Sequence, residues 1–184
     1  MPWAFEREQV IRYHARMMSH ALSTPMADRG ESPSAASRVV VERATWRDLP
    51  ALARLQRRAF PPRLAYTLPT LVILRLIPWV RTLVVRRGER IAGCVIGDRV
   101  LEGGRVVNLA VDPDFQRQGI GRALLDAIER ELGTPVMMLM VQQENATARR
   151  LYVSAGYVEE VELPNYYGPG RVGIRMRKTR ENHP

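Results

Sequence analysis

Cysteine occurs once, at Cys94, so no disulfide can form within the chain and a reducing compartment fits. Histidine is nearly as scarce: His14, His20 and His183 lie near the ends, outside any motif, and no Cys/His spacing suits a metal. Lysine is reduced to Lys178, and the other 27 basic residues are arginine. The most apolar stretch, residues 68–80, is too short to span a bilayer and carries Arg75 and Pro78. Glu6, Arg7, Glu8, Arg12 and Arg16 interrupt the start, so no signal peptide is expected. Repeats, aromatic–basic interleaving and DNA-binding motifs are missing too. These absences exclude a disulfide scaffold, a metal centre, a membrane span and a DNA-reading module. The expected location is the cytoplasm.

What remains is a basic chain of 184 residues with a net charge of +9, long enough for one domain with a substantial core. Residues 1–37 hold four arginines against four acids, so the whole excess lies beyond them. That excess suits phosphate groups, acidic peptides or ribosomal RNA as partners, and equally suits a compositional bias toward arginine. Residues 2–22 could form a helix, and residues 23–37 read as a Ser/Ala/Pro/Gly linker.

Apolar spacing then predicts a strand over 38–44 and a helix carrying Leu49, Leu52, Leu55 and Ala59 behind the capping-box-like Thr45-Trp46-Arg47-Asp48. Phe60-Pro61-Pro62 ends it, and a second helix runs over 67–77 up to Pro78. Strands follow at 81–87 and 90–98. Later come a strand at 136–142, a helix at 145–155 closed by Gly156, and strands at 157–163 and 172–177. The order β-α-α-β-β-β-α-β-α-β-β describes an α/β fold around one mixed sheet.

Its centre is residues 106–125. An apolar strand, 106–111, is stopped by Asp112-Pro113-Asp114 and followed by Gln116-Arg117-Gln118-Gly119-Ile120-Gly121-Arg122. Helical spacing begins at Ile120 and continues through Leu124, Ala127, Ile128 and Leu132 to a C-cap at Gly133. The first-turn N–H groups of such a helix lack intrahelical partners, and the dipole favours an anion there. Glycines at 119 and 121 let a phosphate approach the backbone, and Arg117 and Arg122 add charge. The same residues also fit an ordinary strand–turn–helix with a glycine bend.

The run at Gln116, Gly119 and Gly121 resembles motif A of the GNAT acyltransferase superfamily, Q/R-x-x-G-x-G/A. The longer segment 112–125 is similar to the ribosomal-protein alanine N-acetyltransferases. Asn145, Ala148, Leu151, Tyr152, Gly156 and Tyr157 resemble the family's later signature, N-x-x-A-x-x-L-Y-x-x-x-G-F/Y. The resemblance covers about residues 38–178, leaving 1–37 as an extension and 179–184 as a tail. It implies a GNAT-type, centrally splayed mixed sheet flanked by helices. The implied activity is acetyl transfer from acetyl-CoA to an amine, without a metal. The acceptor would be a protein N-terminus, with the ribosome as one candidate partner, or a small amine; a non-catalytic acetyl-CoA-binding module is the third reading.

The resemblance also implies roles. Residues 116–122 (Gln116, Arg117, Gln118, Gly119, Ile120, Gly121 and Arg122) would cradle the pyrophosphate, with Asn145 contacting the same molecule. The backbone of Leu109, Ala110 and Val111 would pair with the pantetheine arm, and an N–H near Leu109 or Ala110 would meet the oxyanion. Tyr152 would protonate the departing thiolate; from the residues alone it is a core tyrosine at helical spacing from Ala148 and Ala155. Phe60 and Pro61 would line the peptide's first residue, and Tyr166 and Tyr167 would grip its backbone, although all four also suit turns. Asn108 would sit at the strand mouth, where a relayed water could take the proton that the amine sheds. One departure stands out: Met140 occupies the place where these enzymes carry glutamate, and Glu144 nearby reads as a solvated first-turn acid.

Overall fold

The computed structural model describes residues 39–180. The helix expected over 2–22, the linker and the end of the tail lie outside the described residues. The strands are β1 (Val41–Arg43), β2 (Val80–Arg87), β3 (Arg90–Val100), β4 (Gly103–Val111), β5 (Val136–Gln142), β6 (Val158–Leu163) and β7 (Gly173–Thr179). The helices are α1 (Leu49–Ala59), α2 (Leu68–Leu76), α3 (Ile120–Leu132) and α4 (Ala146–Ser154). Short 3-10 turns at Trp46–Asp48 and Pro113–Phe115 precede α1 and α3.

Local chemistry explains the boundaries. The Asp48 carboxylate accepts from the Thr45 N–H at 2.7 Å and the Thr45 hydroxyl at 2.9 Å, which fixes the entry to α1. Phe60 is extended (φ −130°, ψ 152°) because a following proline disfavours the helical region, so α1 stops there. Ile77 ends α2 before Pro78 for the same reason. Gly133 closes α3 in the left-handed conformation, at φ 58°. The first strand is shorter than expected, since only Val41–Arg43 finds partners on β2.

The seven strands form one sheet in the order β1-β2-β3-β4-β5-β7-β6. Every neighbouring pair is antiparallel except β4 and β5, whose parallel pairing follows from the α3 crossover between them. On one face α3 buries Ile120, Leu124, Leu125, Ile128 and Leu132 against Val95, Val106, Leu139 and Val141. Burying each such side chain is worth about 1.5–3 kcal/mol, so this layer dominates the core. Tyr152 of α4 and Ala155, which caps its end, close the same cluster. Successive strand residues alternate faces: the Gly93 position abuts Ile120 and Leu124, whereas Cys94 lies 3.6 Å from Gln56 of α1. Helix α1 therefore covers the opposite face.

Candidate active site

Strands β4 and β5 are hydrogen-bonded over three residues each, Gly104 to Val106 with Met137 to Leu139. Beyond that point β4 continues to Val111 and β5 to Gln142 without pairing to each other. The cause lies one residue past the last pair. Gly97 is opposite Val106 and Ile96 is opposite Asn108, so Val107 is an inserted, bulged residue. A bulge bends its strand and raises its twist, which turns the end of β4 away from β5. The resulting wedge leaves one main-chain edge of β4 at Leu109, Ala110 and Val111 unpaired with β5.

At the wide end of the wedge, Asp112 is fully enclosed. Its carboxylate accepts from Arg58 at 3.0 and 3.1 Å, from Arg90 at 3.1 Å and from the Asp114 N–H at 3.0 Å. Burial alone would raise the Asp112 carboxyl, but the bonds from Arg58, the Asp114 N–H and Arg90 together carry it below its usual value. This cluster pins the turn that leads into α3. Arg117 follows with φ 60° and Gly119 with φ 75°. Gly119 is the N-cap, has no side chain to offer, and faces open space where a Cβ would stand. The first helical bond runs from the Ala123 N–H to the Gly119 carbonyl at 3.0 Å, so the N–H groups of Ile120, Gly121 and Arg122 precede the ladder. Open space over an N-cap glycine with three donors behind it fits a pyrophosphate.

Two motif residues also make packing contacts that their spacing does not reveal. A Cβ on Gly121 would lie 3.2 Å from Leu151 Cδ2 and 3.7 Å from Val111 Cγ2, so this glycine lets α3 meet α4 and does not face the open cradle. The Arg122 guanidinium is tied to Asp126 at 2.9 Å and to the Ser154 carbonyl at 3.0 Å. These bonds link α3 to α4, while Gln116, Arg117 and Gln118 stay exposed around Gly119.

Across the wedge, Asn145 caps α4, its Oδ1 accepting from the Ala148 N–H at 3.1 Å. Tyr152, two turns on, is 7% exposed and lies 6.0 Å from the Tyr157 ring. Burial pushes its phenol up to about 12. It therefore keeps its proton throughout the neutral range.

The opposite face of the wedge carries Asn108, Met140 and Tyr166. Leu139 and Val141 point into the α3 core, so Met140 between them faces away from it. Its Cε would lie 2.9 Å from a Cβ at Gly173, and Tyr166 Cβ 2.8 Å from the same point, so the three residues abut. Tyr166 and Tyr167 are in edge contact at 4.9 Å, and Tyr166 remains 38% exposed. Asn165 braces their loop at φ 60°, its Oδ1 accepting from the Gly170 N–H at 2.7 Å. Phe60 is half-buried and Pro61 exposed at the end of α1, where the Pro61 carbonyl accepts from Leu64 and Ala65. Glu144 is exposed.

Sequence reasoning missed Gln56. It is wholly buried on α1, where Nε2 donates to Asn108 Oδ1 at 2.7 Å and Asn108 Nδ2 donates to Gln56 Oε1 at 3.3 Å. The available signal was an amide at position 56 on the apolar stripe of Leu49, Leu52 and Ala59. Gln142 was missed as well; its Nε2 is buried at the end of β5 with no partner among the described residues. Those residues contain no cluster of three or more metal-ligating side chains, and no helix among them is long and apolar enough to cross a membrane.

A sheet opened beside a glycine-led helix start defines a class of acyl-CoA-dependent acyltransferase, and residues 78–159 match the model of the GNAT acetyltransferase domain. The chain belongs to this GNAT acetyltransferase family and is an acetyl-CoA-dependent N-acetyltransferase. It is similar to the ribosomal protein bS18-alanine N-acetyltransferase of Escherichia coli K12, at 35% identity over 135 residues, covering 65% of this chain and 81% of that protein. The crystal structure of the E. coli ribosomal-protein-S18-alanine N-acetyltransferase superimposes with a TM-score of 0.67 at 31% identity, covering 76% of this chain and 92% of that one. Ard1 from Thermoplasma volcanium gives a TM-score of 0.68 at 26% identity, with coverages of 77% and 97%.

Proposed function

We propose that the chain acetylates the N-terminal α-amino group of a protein, within a transferase domain spanning residues 38–178 and in the cytoplasm. The observation that carries the chemistry is the β4–β5 wedge with its cradle at Gly119. The acceptor class rests on the relative named for acetylating an alanine of a ribosomal protein, which makes a ribosomal protein the first acceptor to try.

Acetyl-CoA supplies an acetyl group activated as a thioester. The chain's part is to hold that donor, admit a neutral amine and manage two protons. In our reading the N–H groups behind Gly119 receive the pyrophosphate, with Gln116, Arg117 and Gln118 around it. The free edge of β4 at Leu109, Ala110 and Val111 takes the pantetheine amides, as an added strand would. A main-chain N–H at Leu109 or Ala110 faces the charge that develops on the carbonyl oxygen. Tyr152 donates its phenolic proton toward the leaving sulfur. Support for that role is its burial, together with a hydroxyl that has no hydrogen-bond partner among the described residues. Phe60, Pro61, Tyr166 and Tyr167 border the acceptor, and water at Asn108 takes the proton that the amine sheds.

Met140 selects among amines by what it does not do. A thioether takes no proton, so the amine must arrive largely neutral. An α-amine with a pKa of about 7.7–8.0 is roughly a tenth or more neutral at pH 7, against about 0.04% for a lysine amine near 10.4. The gap is roughly 3.5 kcal/mol of deprotonation. A panel of N-terminal peptides and small amines, read by release of the CoA thiol, tests the proposal. Turnover on peptides is the expected result. Turnover confined to small amines would replace the acceptor class, and acetyl-CoA binding without any turnover would make the chain a binding module.

A further inference from the structure

The Gln56 carboxamide uses its whole hydrogen-bonding capacity. Its two N–H groups go to Asn108 Oδ1 at 2.7 Å and Cys94 Sγ at 3.6 Å, and its oxygen accepts from Asn108 Nδ2 and the Tyr66 N–H, both at 3.3 Å. The Tyr66 main-chain N–H can only donate, so the atom facing it must be Oε1. That settles which end of Gln56 faces which neighbour, and so the orientation of Asn108. Asn108 is used on one side alone: one N–H and one acceptor site of its carboxamide have no partner among the described residues. It stands two residues beyond the last β4–β5 pair, just past the bulge, on the face shared with Met140 and Tyr166.

We infer that Gln56 is a positioning residue for the acceptor, an inference that rests on the reading of that face as the acceptor side. It holds the open N–H and open oxygen of Asn108 in one fixed arrangement toward the wedge. Through Tyr66 it also ties that arrangement to the loop between α1 and α2, which begins at Phe60 and Pro61. An amide buried at zero exposure in an apolar helix face is destabilising unless every group is paired, so an apolar residue would serve a purely structural role better. The donor side is untouched, because no bond of Gln56 reaches the Gly119 turn.

The test measures kcat/KM for an alanine-initiated hexapeptide and, in parallel, for a diamine, together with acetyl-CoA affinity by calorimetry. Whichever acceptor the wild-type chain uses is the one scored, so failure of the peptide reading does not decide the fate of Gln56. Gln56→Met is expected to lower kcat/KM about tenfold or more, the scale of one lost hydrogen bond with its partner left unpaired. Acetyl-CoA affinity is expected to stay within about twofold. In an Asn108→Ala background the same substitution should lose little further activity, because the residue it orients is gone. Gln56→Leu, which removes the donor to Asn108 Oδ1 with a side chain of similar size and another shape, should also lose activity and covers the case in which Gln56→Met does not fold. Equal losses with and without Asn108, a parallel loss of acetyl-CoA affinity, or wild-type kcat/KM in Gln56→Leu would each overturn the inference.

Discussion

On the side of the wedge proposed for the donor, the groups on offer are mostly main-chain N–H and C=O from one continuous run, Leu109 to Arg122, with Tyr152 reaching in from α4. On the side proposed for the acceptor they are mostly side chains, which come from α1, β4, β5 and the loop before β7. A backbone site depends on conformation: a bulge at Val107, a left-handed glycine at 119 and a turn pinned by Asp112. A side-chain site depends on identity, and a single replacement such as methionine at 140 changes what it can do.

Substitutions that separate conformation from identity bear on this contrast. The largest expected effect is on chemistry. Tyr152→Phe keeps the ring and its packing, so acetyl-CoA affinity should hold while turnover falls by about 10²–10⁴-fold, provided chemistry limits the rate. Rapid-quench measurement of the acetyl-transfer step checks it, and near-normal turnover would return Tyr152 to a packing role.

Gly119→Asp comes next. It forces a side chain into a backbone of φ 75° and places a negative charge where the phosphates are expected. Acetyl-CoA affinity should fall by about tenfold to a hundredfold, a loss of roughly 1.4–2.7 kcal/mol. Calorimetry on the folded variant reads this directly.

The pinned turn gives a smaller, pH-dependent effect. The Asp112 carboxyl is depressed in the folded chain, so its contribution to stability is present above the unfolded value of about 3.9 and is lost as pH falls through the folded value. Asp112→Asn should therefore melt below the wild type at pH 7, and the difference should shrink as both are taken below about pH 4. Thermal melts across that range check it.

Gly121→Ala should be nearly silent. The helix gains about 0.5–1 kcal/mol from alanine over glycine, offset by the few tenths of an ångström that Leu151 must yield. Unchanged acetyl-CoA affinity in this variant, beside a large loss in Gly119→Asp, would show that only one of the two glycines faces the phosphates.

The same contrast explains what could be read from the sequence. The donor side is contiguous, so strand, turn, glycines and helix announce themselves within twenty residues, and the element order around the mixed sheet follows from apolar spacing. The bulge does not show, because Val106 and Val107 look alike in a buried run and only the register against β3 distinguishes them. Nor does the Gln56–Asn108 pair, whose partners are 52 residues apart. Gly121 and Arg122 were legible as a motif, but their packing neighbours Leu151 and Ser154 were not, because those lie on another helix far along the sequence.

One measurement bears most directly on the claim that the acceptor is an N-terminal α-amine. A peptide that begins with alanine and carries one internal lysine offers both amines at once, and fragmentation mass spectrometry locates the acetyl group. The prediction is acetylation at the α-amine in clear preference, with a rate that rises up to about pH 8 as that amine loses its proton. Predominant acetylation of the lysine would contradict it, since a site with Met140 in the place of a base has no means of its own to neutralise that side chain.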